Sequence, residues 1–114
     1  MIPEIFNLLT PFATPPGEEI FENLFRGQSF RVERIVSTGQ ATREGQWYDQ
    51  QHAEWVVLLS GSAVLRFEGE NEGRTLVPGD AVNIPAKCRH RVDATLADQE
   101  SVWLAIHYEP VENG

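Results

Sequence analysis

The chain has 114 residues, 41% of them apolar and 23% charged, which sets one globular domain and excludes both a disordered chain and two ordinary domains. Its formal net charge is −8, with Lys87 the only lysine, so a phosphate backbone or an anionic membrane surface is repelled and neither is expected as a partner. Cys88 is the single cysteine, so no disulfide forms within the chain. Met1-Ile2-Pro3-Glu4 lacks a basic start followed by an apolar run, and no apolar stretch approaches the roughly 20 residues of a membrane helix, so a cytoplasmic protein is expected.

Residues 1–28 form a first segment, punctuated by Pro3, Pro11, Pro15, Pro16 and Gly17. Within it Glu4–Leu9 and Glu18–Phe25 are expected to make short helical turns. Ile20, Phe21, Leu24 and Phe25 fall on one helical stripe, and Gly27 is a plausible stop. The segment is expected to pack on the main body or on a partner.

Residues 29–110 read as strands, with 111–114 a tail. Phe30–Val36 alternates in part. Trp47–Gln50 is a weaker strand, and Glu54–Leu59 is nearly all apolar. Ser62–Glu68 alternates cleanly, with Ala63, Leu65 and Phe67 on one side. Ala81–Ile84, His90–Thr95 and Ser101–Tyr108 follow. Ser60-Gly61, Gly69–Gly73 and Pro78-Gly79-Asp80 are turn chemistry. Short strands joined by Gly- and Pro-bearing turns argue for an all-β sandwich or barrel. Glu54–Leu59 and Val102–Ile106 are apolar on both faces, so either the first segment or a second subunit must cover the outer face. A homodimer is expected.

Two residues stand out chemically. Glu54 opens an apolar strand, where an unpaired carboxylate facing inward costs several kcal/mol unless a partner, water or metal meets it. Solvation at the strand end is the bland reading. His90 shares a strand face with Val92 and Ala94, opposite Arg89, Arg91 and Asp93, which makes the histidine the inward residue. The bland reading there is a histidine bonded to a backbone carbonyl. Lys87, Arg89 and Arg91 form a basic patch, read either as solvated charges or as a rim for an anionic substrate. Cys88 has no neighbouring base that would make it a nucleophile.

These residues carry a resemblance. The stretch Gly45–Gly61 resembles the first cupin motif in the spacing of Glu54 to Gly61, and Gly79, Pro85 and His90 are placed as in the second. The resemblance spans about Arg31 to Tyr108. It implies an antiparallel jelly-roll β-barrel of the small single-barrel cupin type, here with the short partly helical N-terminal segment. It also implies a divalent metal, Fe, Mn, Ni or Zn, held by histidines and a glutamate. Carried over by position, the motif gives Glu54 and His90. Its His-any-His pair falls on Tyr48 and Gln50, or on Trp47 and Asp49, and neither position holds histidine. His52, two residues before Glu54, completes a candidate triad of His52, Glu54 and His90. His107 is either a fourth ligand or a wall residue. Tyr48 and Asp49 are the acid–base candidates. Two functions are thereby implied: a metal-dependent enzyme on a small polar molecule, of dioxygenase or isomerase type, or a non-catalytic module that binds or senses a small ligand.

Overall fold

A computed structural model describes residues 1–11 and 18–111. Pro15, Pro16 and Gly17, and all of the expected tail but Val111, lie outside the described residues. Eight strands follow one another: β1 (Ile20–Arg26), β2 (Phe30–Ser37), β3 (Ala53–Ser60), β4 (Ala63–Phe67), β5 (Arg74–Leu76), β6 (Ala81–Ile84), β7 (His90–Thr95) and β8 (Ser101–Tyr108). Among the described residues there is no helix, and hence none long and apolar enough to cross a membrane.

The strands form two antiparallel sheets, one ordered β1-β2-β8-β3-β6 and the other β5-β4-β7. The core lies between them, built from Val56, Leu58, Ala63, Ile84, Trp103 and Ala105. The arrangement is all-β, but the expected closed barrel is not found: the ladders stop at β1 and β6 in one sheet and at β5 and β7 in the other. The chain leaves β3 by a tight turn at Gly61 and enters the opposite sheet as β4, so these consecutive strands do not pair. A two-sheet jelly roll is the other way for such strands to bury one face each.

The expected N-terminal helix is also corrected. Glu18–Phe25 contains most of β1, which pairs with β2 from Ile20↔Val36 to Arg26↔Arg31. A bulge at Leu24 interrupts that register between Asn23 and Phe25. The extra residue shifts the apolar positions by one, which turns a two-residue period into an apparent helical stripe. Trp47–Gln50 is not a strand; only Tyr48 forms a bridge, to His90.

The outer face of the large sheet is partly covered by the first segment. Arg34 is buried there, with Nη1 donating to the Leu8 carbonyl at 3.0 Å and Nη2 pairing with Glu22 at 2.8 Å. Arg91, on the outer side of the small sheet, is 8% exposed. It donates to the carbonyls of Thr42, Arg43 and Gln46 and pairs with Asp93 at 2.7 Å, so it pins the 42–46 loop. Arg89 pairs with exposed Glu68. The expected basic patch is therefore dispersed into structural contacts.

Candidate functional site

The register of the large sheet brings one polar row to its inner face. Arg31 of β2 lies beside His107 of β8, His107 beside Glu54 of β3, and Glu54 beside Ile84 of β6. The row two residues further along β2 holds Glu33 beside Ala105. Arg31, Glu33, Glu54, Ile84 and His107, with Leu65, His90 and Val92 from the small sheet, wall a cavity of about 220 Å³ between the sheets. Glu19, Phe21, Ile35, Tyr48, Gln50 and Trp103 also line it.

Alternation explains how Glu54 enters this interior. Glu54, Val56 and Leu58 are buried, whereas Trp55 between them is 36% exposed. The Glu54 carboxylate accepts a hydrogen bond from Gln50 Nε2 at 3.3 Å. Gln50 is itself held by its backbone, whose carbonyl accepts from Lys87 N at 2.7 Å. Lys87 sits at φ 63°, a left-handed conformation costing on the order of 1 kcal/mol for a side chain with a Cβ.

His90 opens β7 and is buried. Its Nδ1 lies 2.9 Å from the Cys88 carbonyl, which can only accept, so Nδ1 carries the proton. In the neutral ring Nε2 then bears the lone pair, 3.8 Å from Glu54 Oε1. Tyr48 stacks on the imidazole with centroids 5.5 Å apart, held by paired backbone hydrogen bonds between the two residues. Burial, and then the charges of Glu19, Glu54 and Glu33, raise the Tyr48 hydroxyl above its usual pKa, so it is a donor at neutral pH.

A second histidine chain runs alongside. Glu33 Oε1 accepts from His107 Nε2 at 3.1 Å, which leaves Nδ1 of a neutral His107 to accept from His52 Nε2 at 2.9 Å. Arg31 pairs with Glu33 at 3.3 Å. Burial alone would raise the Glu33 carboxyl, but the His107 hydrogen bond and the charges of His107 and Arg31 outweigh it and hold the pKa below the usual value. Burial, then His107 and Arg31, lower that of His52.

This geometry separates the sequence candidates. Glu54, His90 and Tyr48 meet at the cavity. His52 lies in the bend before β3, turned to His107 and absent from the cavity wall. Asp49 is exposed and also absent from it. His107 is a wall residue with both ring nitrogens engaged. Glu19 and Glu33 were not singled out from sequence; Glu33 lies on the more polar face of β2, which proves to be the inner one.

The expected metal triad is not assembled. Among the described residues no three His, Cys, Asp or Glu side chains are grouped as a metal site would require. Glu54 and His90 remain as a pair, and tight transition-metal sites normally use three or four protein ligands. The donor set does not fit the metal that the motif implies.

A two-sheet antiparallel jelly roll with a ligand-sized cavity between its sheets is the class that this fold and site define. No family model and no curated protein matches the chain. A protein of Ralstonia eutropha JMP134, described as a proposed mannose-6-phosphate isomerase, is 41% identical, with a TM-score of 0.89 over 95% of this chain and 100% of that one. A cupin superfamily protein of Desulfitobacterium hafniense DCB-2 is similar in fold at a TM-score of 0.70 and 17% identity, over 87% of this chain and 84% of that one. The polyketide cyclase RemF of Streptomyces resistomycificus gives 0.72 and 17%, over 95% and 80%. The chain belongs to the same family as the Ralstonia protein, and its fold is that of cupin proteins.

Proposed function

We propose that this cupin takes one small polar molecule into the cavity and exchanges a proton with it through Glu54 and His90, without a resident metal. The observation that carries the reading is the 3.8 Å between Glu54 Oε1 and His90 Nε2, both buried. That is too long for a hydrogen bond between them and short enough for one ligand atom to contact both. His90 Nε2 is the base and Tyr48 the neutral donor. Such a proton-transferring set suits isomerase-type chemistry, the class named for the Ralstonia relative. Oxygenase chemistry would need a metal that Glu54 and His90 alone hold poorly.

The test is metal content of untagged protein at a pH above 7, together with binding of a panel of small polar compounds by calorimetry, D-mannose 6-phosphate included. Substoichiometric metal and binding of a panel member that Glu54→Gln or His90→Gln weakens at least tenfold is the expected outcome. Stoichiometric Fe, Mn, Ni or Zn lost on His90→Gln would overturn the reading in favour of a metal enzyme. Binding by the panel that neither variant affects would overturn it as well.

We also propose a homodimer. Trp55, Phe25 and Phe30 remain 36%, 60% and 41% exposed despite the first segment, and Ile5, Phe6 and Leu9 of that segment are exposed too. Light scattering is expected to give twice the chain mass; the monomer mass at all concentrations would refute it.

A further inference from the structure

The cavity's most deeply buried spare hydrogen-bonding capacity is that of acceptors. His90 Nε2, on a side chain 7% exposed, has no hydrogen-bond partner among the described residues, and in the neutral ring it accepts. Gln50 Oε1 is buried with no partner, and its amide orientation is fixed because Nε2 donates to Glu54. The alternative orientation would set two oxygens against each other. Glu54 accepts that single amide hydrogen bond and retains free lone pairs. All three groups line the cavity, and all three are acceptors. Of the nearby donors, His107 Nε2 and one N–H of Arg31 are taken by Glu33, which leaves the Tyr48 hydroxyl and the other Arg31 N–H groups.

Charge points the same way. Three carboxylates, Glu19, Glu33 and Glu54, line the cavity with one guanidinium, that of Arg31. The Arg31–Glu33 pair accounts for the cation, so Glu19 and Glu54 face the cavity without a cationic partner other than a protonated imidazole. The rings of Phe21, Tyr48 and Trp103 stand in the same wall, and aromatic faces attract cations. The formal net charge of −8 favours approach of a cation and opposes that of an anion. Elsewhere the walls are hydrocarbon: Val56, Leu65, Ile84 and Val92.

A protonated primary amine has three N–H donors, no acceptor and a positive charge, and it matches three acceptors more compactly than a planar guanidinium, the other cation that only donates. We infer that the cavity selects a small molecule with a protonated primary amine on a hydrocarbon body, the ammonium group meeting Glu54, His90 Nε2 and Gln50 Oε1. The inference rests on the proposed reading of the cavity as a ligand site and adds the chemical class of the ligand. A neutral polyol would satisfy the acceptors but not the charge. An anion would meet the Tyr48 hydroxyl and the Arg31 N–H groups not taken by Glu33, but it would face two carboxylates without a cationic partner.

The experiment uses three probes that share one ring: cyclohexylamine, cyclohexanol and cyclohexanecarboxylate. Each is titrated calorimetrically into the full chain at pH 7 after EDTA treatment; an alkyl amine, titrating near 10, is then protonated. The amine is expected to bind at least tenfold tighter than the alcohol, and the carboxylate weakest. Glu54→Gln should reduce amine affinity at least tenfold and alcohol affinity by less, and an unchanged thermal unfolding midpoint shows that the variant is folded. Gln50→Met should lower amine affinity alone. Equal binding of amine and alcohol, or tighter binding of the carboxylate, overturns the amine inference while the cavity reading stands. No binding of any probe sinks the inference, and the polar panel above then decides the cavity reading separately. Zn(II) binding tighter than the amine, and lost in Glu54→Gln, overturns it in favour of a metal centre.

Discussion

Gly61→Ala isolates what the turn between the two sheets requires. Gly61 has φ 85°, in the left-handed region, and it carries the chain from β3 into β4 of the opposite sheet. A Cβ there would lie 2.6 Å from Ser101 Cα, a backbone atom with little freedom to move. Ser101 is fully buried, pairs with Ser37 across the sheet, and bonds Ser62 twice through its hydroxyl, at 3.2 and 3.1 Å. Left-handed strain costs an alanine about 1–2 kcal/mol. Forcing a methyl group against fixed atoms adds about 1–3 kcal/mol. The sum, about 2–5 kcal/mol, is a large share of the roughly 5–15 kcal/mol that holds a domain folded. Gly69→Ala supplies the control: its φ is 99°, but nothing lies within 4 Å of its added Cβ, so it bears the strain alone. Urea unfolding of both variants at matched m-values reads the difference directly. Gly61→Ala should be the less stable by about 1–3 kcal/mol. Variants that agree within about 0.5 kcal/mol would refute the contact argument, since surface changes scatter by that amount.

Two further outcomes follow from the polar contacts. Glu33 has its pKa held below 4.5 in the folded chain, so its contribution is present above that value and is lost as pH falls through the lower folded one. Glu33→Gln should therefore cost about 1–3 kcal/mol at neutral pH, and the gap to the parent should narrow in acid; a gap independent of pH in thermal unfolding would refute the assignment. Arg91→Ala should cost about 2–4 kcal/mol and raise hydrogen exchange in residues 42–46, because buried Arg91 holds three loop carbonyls. Arg89→Ala, which breaks only the exposed pair with Glu68, should cost less than about 1 kcal/mol, and equal costs would count against the pinning role.

Strand positions were legible where alternation and turn residues agreed. Ala81–Ile84 and His90–Thr95 follow the Gly79 and Pro85 turns, Ser101–Tyr108 is a nearly continuous apolar run that ends before Pro110, and all three are strands over those spans. β5 was missed because Arg74–Leu76 is three residues at a half-exposed edge, too short to show a period. β1 was misread because the Leu24 bulge rearranged its period, and only pairing with β2, a contact between distant residues, decides its conformation. Sheet closure has no local signature at all.

The candidate site divides along the same line. Glu54 and His90 were visible because each has a fixed spacing to a turn glycine or proline, and turn chemistry is local. His52 was expected beside Glu54 by two-residue alternation, but alternation holds only inside a ladder, and β3 begins at Ala53. One residue before that start, the side chain is free to turn to His107. Glu33 and His107 are 74 residues apart in sequence, and only the register of β2 on β8 makes them partners. Glu33 was also concealed by its own strand: Val32 and Val36 present an apolar face that looks like the core side, yet they are buried on the outer face, where residues 7–8 reach Arg34. The inner face of β2 thus carries Arg31 and Glu33, and the outer face the valines with Arg34. That inversion places the Arg31–Glu33 pair in the cavity wall, and the proposed ammonium preference rests on the two carboxylates that the pair leaves uncompensated, Glu19 and Glu54.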